Sequence, residues 1–193
     1  MAHDILFVTD NKTAYREAEA FFAEHAPQIR LSHAPLAHYE LQNLDERKVI
    51  EHKAILSWNH YQQPLLVEIS GFYFNRYQAY PGTLSSFSLA ALGRSGIGKL
   101  CQVDNEAMAY SWTSFISHRD SPCFFRDTTD GYIMDDAMPQ GQTEVELYTV
   151  FHPKGATKTL YELLESGDSA KHSPRYKTLQ KFVAWYLTQD EES

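Results

Sequence analysis

Residues 64–82 read PLLVEISGFYFNRYQAYPG, and the reading of this stretch decides the architecture. Leu65, Leu66 and Val67 form a short apolar run that ends in Glu68, followed by Ile69, Ser70 and Gly71. Four to eight apolar residues bounded by turn residues predict a buried strand. A carboxylate at the end of such a strand, just before a glycine, stands where α/β proteins place catalytic groups. Phe72, Tyr73 and Phe74 come next and are expected to cover whatever lies above, and Pro81-Gly82 close the stretch.

Upstream, residues 5–8 read as a short apolar strand and Thr9-Asp10-Asn11 as a turn. Residues 12–24 place Tyr15, Ala18, Phe21 and Phe22 on one helix face, with Asn11 or Asp10 as N-cap. Such an opening presents backbone N–H groups and a positive helix end to an anion. Residues 28–32 predict a second strand, bracketed by Pro27 and Pro35. A helix is expected over 45–61, capped by Asp45 and with Val49, His52, Lys53 and Leu56 on one face. This βαβ alternation favours a mixed or parallel sheet flanked by helices.

Downstream, residues 85–101 read as a helix broken at Gly93, Gly96 and Gly98. Residues 106–117 alternate as a strand, and 123–126 give another. Thr128-Thr129-Asp130-Gly131 predict a turn, with 132–134 returning as a hairpin partner. A loop is expected at 138–143, a strand at 145–151, a turn at Pro153-Lys154-Gly155, and a terminal helix at 175–187 with Phe182, Val183 and Tyr186 inward. Residues 188–193 read as an acidic tail.

With 193 residues, 43% of them hydrophobic, the chain can bury a core as one domain or as two lobes sharing one. Nothing approaches a membrane span, and the opening MAHDILFVTD lacks the basic start of a signal peptide. Two cysteines, Cys101 and Cys123, are too few for a disulfide framework or a zinc site, and a cytoplasmic location is expected. A net charge of −8 argues against a nucleic-acid polymer as partner, because such binding rests on neutralising phosphates with Lys and Arg. A single nucleotide needs only two or three local cations.

Three motifs fail on context. Residues 93–99 spell G-x-x-x-x-G-K, but Leu100 stands where a phosphate loop needs Ser or Thr, and a helix precedes it instead of a strand. His118-Arg119-Asp120 matches a kinase triplet by letters only, and Asp135-Asp136 reads as a solvated loop. The histidines show no zinc spacing.

Taken in order, these segments resemble the inosine/xanthosine triphosphate pyrophosphatase family. Residues 5–12 look like its opening strand and Thr-Gly-Asn phosphate loop. Tyr39-Glu40-Leu41-Gln42 ahead of Lys53-Ala54 is similar to its Glu-x-Gln and Lys-Ala positions. Residues 64–82 match its Pro-Val-Leu-Val-Glu-Asp-Ser-Gly-Leu strand and the Pro-Gly that follows. Residues 125–133 resemble its Phe-x-Gly and Gly-Arg-Ile segment. Phe151-His152-Pro153-Lys154-Gly155 with residues 159–162 resembles its Phe-x-Pro-x-Gly and Thr-Phe-Ala-Glu segment, and Ser173-Pro174-Arg175 falls on its Ser-His-Arg.

The resemblance implies an α/β fold: an elongated mixed β-sheet flanked by helices, one domain over 1–193 in two lobes with a central nucleotide cleft. It implies a homodimer, or a heterodimer with a relative, and a magnesium-dependent reaction splitting a nucleoside triphosphate into monophosphate and pyrophosphate. Such chemistry needs carboxylates on magnesium, a base for water and cations on the phosphates. By resemblance Glu40 and Glu68 are the catalytic carboxylates and magnesium ligands. Thr9, Asn11, Lys12, Ser70, Lys171, His172 and Arg175 are the expected nucleotide and phosphate contacts.

Several family positions are replaced: Ala14 for a Lys, Ile69 for the Asp, Ser86 for a basic residue, Tyr148 within the base-binding segment, Ser169 for a Lys and Pro174 for the His. Asp10 also stands for the Gly of the phosphate loop. Isoleucine can neither accept a proton nor bind a hard cation. Losing one such group commonly costs ~2 to 4 kcal/mol of transition-state stabilisation. The replacements fall on the site and spare the apolar scaffold, which points to relaxed or redirected function on an intact fold. Three readings stay open at this level: a divergent pyrophosphatase on a purine or modified nucleotide, a catalytically degenerate nucleotide- or partner-binding protein, and an enzyme of a different reaction on a nucleotide. Beside them stand plain readings, with Glu40 and Glu68 as exposed carboxylates of no role and Lys171, His172 and Arg175 as a solvated basic edge.

Overall fold

The computed structural model describes residues 3–118, 122–134 and 147–190. Arg119-Asp120, Asp135-Asp136, the loop expected at 138–143, the first residues of the strand expected at 145–151 and the last three of the tail lie outside the described residues. The described strands are β1 (His3–Val8), β2 (Ile29–Ala34), β3 (Leu65–Phe74), β4 (Glu106–Ile116), β5 (Cys123–Ile133) and β6 (Phe151–Pro153). The helices are α1 (Lys12–His25), α2 (Glu46–Tyr61), α3 (Ser85–Leu100), α4 (Leu160–Glu165) and α5 (Pro174–Asp190). The sheet order is β2-β1-β3-β4-β5-β6, with β1 parallel to β2 and β3 and β5 antiparallel to β6. It is a mixed sheet flanked by helices.

The chain divides into two compact units. The first takes its residues from 1–69, 111–127 and 175–193, the second from 70–110 and 128–174. Strands β3, β4 and β5 each pass from one unit into the other.

In the first unit, α1 shows why it folds as it does. Ala14, Glu17, Ala18, Phe21 and Phe22 recur at helical spacing and are all buried, and Asn11 Oδ1 caps the helix by accepting from Ala14 N at 3.0 Å. This face packs with Phe7, Leu66, Phe115, Leu179 and Phe182 into one core shared with α5. On β4 and β5 the side chains alternate. Phe115 and Phe125 face α5, while Trp112 and Arg126 reach Glu46 at the start of α2 on the other face. Asp45 caps α2 as expected, through Arg47 N at 3.0 Å. The buried face of that helix is Val49, Ile50, Lys53, Ala54 and Ser57, with His52 half-buried.

The second unit holds a core of Phe72, Phe74, Leu89, Ile97, Ala109 and Phe151 with neighbouring residues. Here three expectations are corrected. First, β3 does not end at Glu68 or Gly71 but runs on to Phe74, so Glu68 is a mid-strand residue. Gly71 marks a close approach and not a turn: a Cβ there would lie 2.7 Å from both the Gly82 carbonyl and Ser85 Oγ. Second, β5 continues straight through 128–131, where a hairpin turn is expected. Gly131 is again a close-approach residue, since a Cβ would overlap the His152 carbonyl of β6. Third, within the expected strand 145–151, Leu147–Thr149 form a 3₁₀ turn, and β6 begins only at Phe151 and includes Pro153. Helix α3 breaks at Gly93 alone, whose φ of 63° lies in the left-handed region that suits glycine. Cys101, at the end of α3, is buried, and burial, helped by the nearby Asp104 carboxylate, pushes its thiol up to about 11.

Candidate functional site

In the first unit, the end of the β1–β3 ladder places Glu68. The β1–β3 register pairs Val8 with Val67, so Glu68 lies one residue beyond the end of that ladder. The chain leaving β1 is pinned by bonds to β2 and by the Thr9 hydroxyl. Thr9 N donates to the Ala34 carbonyl at 3.0 Å, Asn11 N donates to Thr9 Oγ1 at 3.1 Å, and the His33 ring meets the Thr9 carbonyl at 2.7 Å. Asp10, in place of a glycine, accepts from Leu36 N at 2.9 Å while staying exposed. Lys12 follows on the exposed first turn of α1, and Ala14 is fully buried in the core.

Glu68 itself is 4% exposed and Arg175 1%. Arg175, in the first turn of α5, donates through Nε to Glu68 Oε2 at 3.2 Å and through Nη1 to Glu17 Oε2. Two buried carboxylates thus share one buried guanidinium. Arg175 is therefore not part of a solvated basic edge. Burying these charges is tolerated because they are paired and hydrogen-bonded, and removing one partner of such a cluster is strongly destabilising. Glu17 is the residue that sequence reasoning missed. Its signal was present: a carboxylate on the apolar face of α1, between Ala14 and Ala18, requires a buried partner.

Glu40 stands apart from this cluster on an exposed loop, its side chain 40% exposed, and it accepts from Lys53 Nζ of α2. Beside it on the same loop, His38 Nε2 meets Ser57 Oγ at 3.2 Å. The other expected contacts belong to the second unit. Ser70 is half-buried on β3 and Lys171 is exposed. His172 is half-buried, its carbonyl accepting from Thr129 Oγ1 at 2.8 Å. Among the replaced positions, Ser86 is exposed on the first turn of α3, whereas Tyr148, Ser169 and Pro174 are buried. The structure therefore joins Thr9 to Asn11 and Glu68 to Arg175, and it joins Glu40 to Lys53.

A magnesium ion asks for oxygen ligands in near-octahedral order. Glu68 accepts from Arg175, Glu40 accepts from Lys53, and Ile69, on the opposite face of β3 from Glu68, is a buried hydrocarbon with no oxygen to offer. Among the described residues no three His, Cys, Asp or Glu side chains are placed to hold an ion. These side chains do not fit a resident magnesium ion.

Comparison with known proteins agrees with the architecture. The chain is 27% identical to the dITP/XTP pyrophosphatase of Methanopyrus kandleri, over 94% of this chain and 95% of that one. It is 28% identical to the inosine triphosphate pyrophosphatase of Yarrowia lipolytica, over 98% of each. The HAM1 protein of Coxiella burnetii shares the fold with a TM-score of 0.74 at 15% identity, covering 97% of this chain and 99% of that one. No helix among the described residues is long and apolar enough to cross a membrane. The model of the Ham1 family matches residues 5–185, and with the sheet, the pinned loop after β1 and the Glu68 strand in place, the chain belongs to the Ham1 family.

Proposed function

We propose that this chain binds the triphosphate of a purine or modified nucleoside and does not split it at the rate of a working pyrophosphatase. The binding half of the reading rests on the Ham1 fold and on the loop at Thr9, Asn11 and Lys12, which is held by bonds to Ala34 and His33 of β2 and by the side chains of Thr9 and Asn11. Within the first unit, Lys12 supplies charge and donors for the phosphates. The catalytic half rests on one observation: Glu68 is buried against Arg175, with Ile69 beside it. Burial and pairing with a guanidinium disfavour a metal or an ordered water at this carboxylate, and an isoleucine supplies no base. Catalytic groups act as a unit, so losing the base and the metal together removes most of the rate. The protein acts in the cytoplasm as a homodimer or beside an active relative, which would carry out the cleavage.

The test incubates pure protein with the triphosphates of inosine and xanthosine and with the four standard ones, plus magnesium. Pyrophosphate release and melting temperature are followed together. A raised melting temperature with one nucleotide and no pyrophosphate is the expected result. Steady pyrophosphate release that Glu68→Ala abolishes would overturn the catalytic half. No release and no thermal shift with any of the six would overturn the binding half.

A further inference from the structure

We infer that Arg175 fills the electrostatic place of a divalent cation, so that Glu68 is a ligand of the protein's own guanidinium and not of magnesium. The inference goes beyond the nucleotide reading and holds with or without a bound nucleotide. Glu17 from α1 and Glu68 from β3 converge on Arg175, and all three are buried. A carboxylate taken out of water requires a cation or several donors. Magnesium would supply a compact charge but keeps several waters and demands a near-octahedral oxygen shell. A guanidinium supplies a permanent charge with a planar fork of donors, and it serves two carboxylates at once without bound water.

The surroundings point the same way. Ile69 follows Glu68 on the strand and turns a buried hydrocarbon to the opposite face of the sheet. Glu40, the second carboxylate that the family resemblance names, stands apart and is held by Lys53. An ion entering at Glu68 would meet the positive charge of Arg175, whose Nε lies 3.2 Å from Glu68 Oε2. Because Arg175 is tethered in the first turn of α5, its local concentration at Glu68 exceeds that of any free ion.

Manganese(II) is the probe, read by the electron paramagnetic resonance signal of the free ion and by melting temperature, with no nucleotide present. For the wild-type chain the expected signal matches that of buffer, or shows a weak loss that Glu68→Gln leaves unchanged, as surface binding by a chain of net charge −8 would give. Uptake of one equivalent by the wild type that Glu68→Gln removes would overturn the inference. Arg175→Gln uncovers the two carboxylates, and this variant is expected to melt lower, take up one equivalent of manganese and regain melting temperature as the ion is added. A folded Arg175→Gln chain whose signal and melting temperature ignore manganese would overturn the substitution of guanidinium for metal. Should that variant not fold, the wild-type titration decides alone.

Discussion

Strand β3 is one piece of secondary structure held by two different kinds of force. In the first unit, its residue Glu68 is secured by charge, through Arg175 and across it Glu17. In the second unit, its residues Gly71 and Phe72 are secured by close approach and a neutral hydroxyl. Ser85 Oγ accepts from Phe72 N at 3.0 Å and donates to the Gly82 carbonyl, in the space that the absent Gly71 side chain leaves open. The charged half carries ionisable groups that are paired with one another. The neutral half does its structural work with a serine and two glycines. The difference teaches that a carboxylate on a strand is a catalytic candidate only after its partners are known.

Breaking the charged half should produce the largest effect. Arg175→Met leaves Glu17 and Glu68 buried without their cation, and the expected loss is about 3–5 kcal/mol of unfolding free energy, measured by denaturant titration. Breaking the neutral half should matter less. Ser85→Ala leaves the buried Phe72 N–H without its acceptor, for an expected loss of about 1–3 kcal/mol in the same titration.

A smaller effect is expected in the second unit, away from β3. Helix α4 opens with a reciprocal cap in which Glu162 N donates to Thr159 Oγ1 at 3.1 Å and Thr159 N to the Glu162 carboxylate at 2.8 Å. The backbone bond from Thr159 and its hydroxyl, aided by His152 and Lys158, holds the Glu162 carboxyl below the usual carboxylate range against the opposing effect of desolvation. Its folded pKa is thus lower than its unfolded one. The cap's contribution is complete above the ordinary carboxylate pKa and fades as pH falls through the folded value. Thr159→Ala should cost about 1 kcal/mol near neutral pH and less in acid, read as the pH dependence of unfolding of variant against wild type. Equal differences at both pH values would show that the Glu162 carboxylate is not part of the cap.

Much of this was legible in the sequence, for identifiable reasons. Strand β1, the Asn11 cap, the Asp45 cap, α1, α2 and α5 show at the level of local pattern, because capping residues and 3.6-residue periodicity are local signals. Gly71 and Gly131 misled because a glycine that admits a neighbouring backbone looks, in sequence, like a glycine that makes a turn. Helix α4 is too short for a periodic signal, although Thr159-x-x-Glu162 spells its capping box. At the site, Thr9, Asn11, Glu68 and Arg175 stand out in the sequence only as single positions matching a family motif. The pairing of Glu68 with Arg175 was not legible, because Glu17, Glu68 and Arg175 lie far apart along the chain and only the packing of α1, β3 and α5 brings them together. The Ala14 position shows the same limit. Sequence registers only a missing lysine, whereas the structure shows a fully buried methyl on which α1 packs, so a lysine restored there would have to leave the core.

The central claim is that Glu68 belongs to Arg175. A double-mutant cycle on stability tests it most directly, using Glu68→Leu, Arg175→Met and the pair together. The predicted result is strong non-additivity, with the double variant more stable than the sum of the single losses implies by at least about 1 kcal/mol, as for contacting members of one network. Additive losses would mean that Glu68 and Arg175 act independently, and Glu68 would again be a free strand carboxylate available for chemistry.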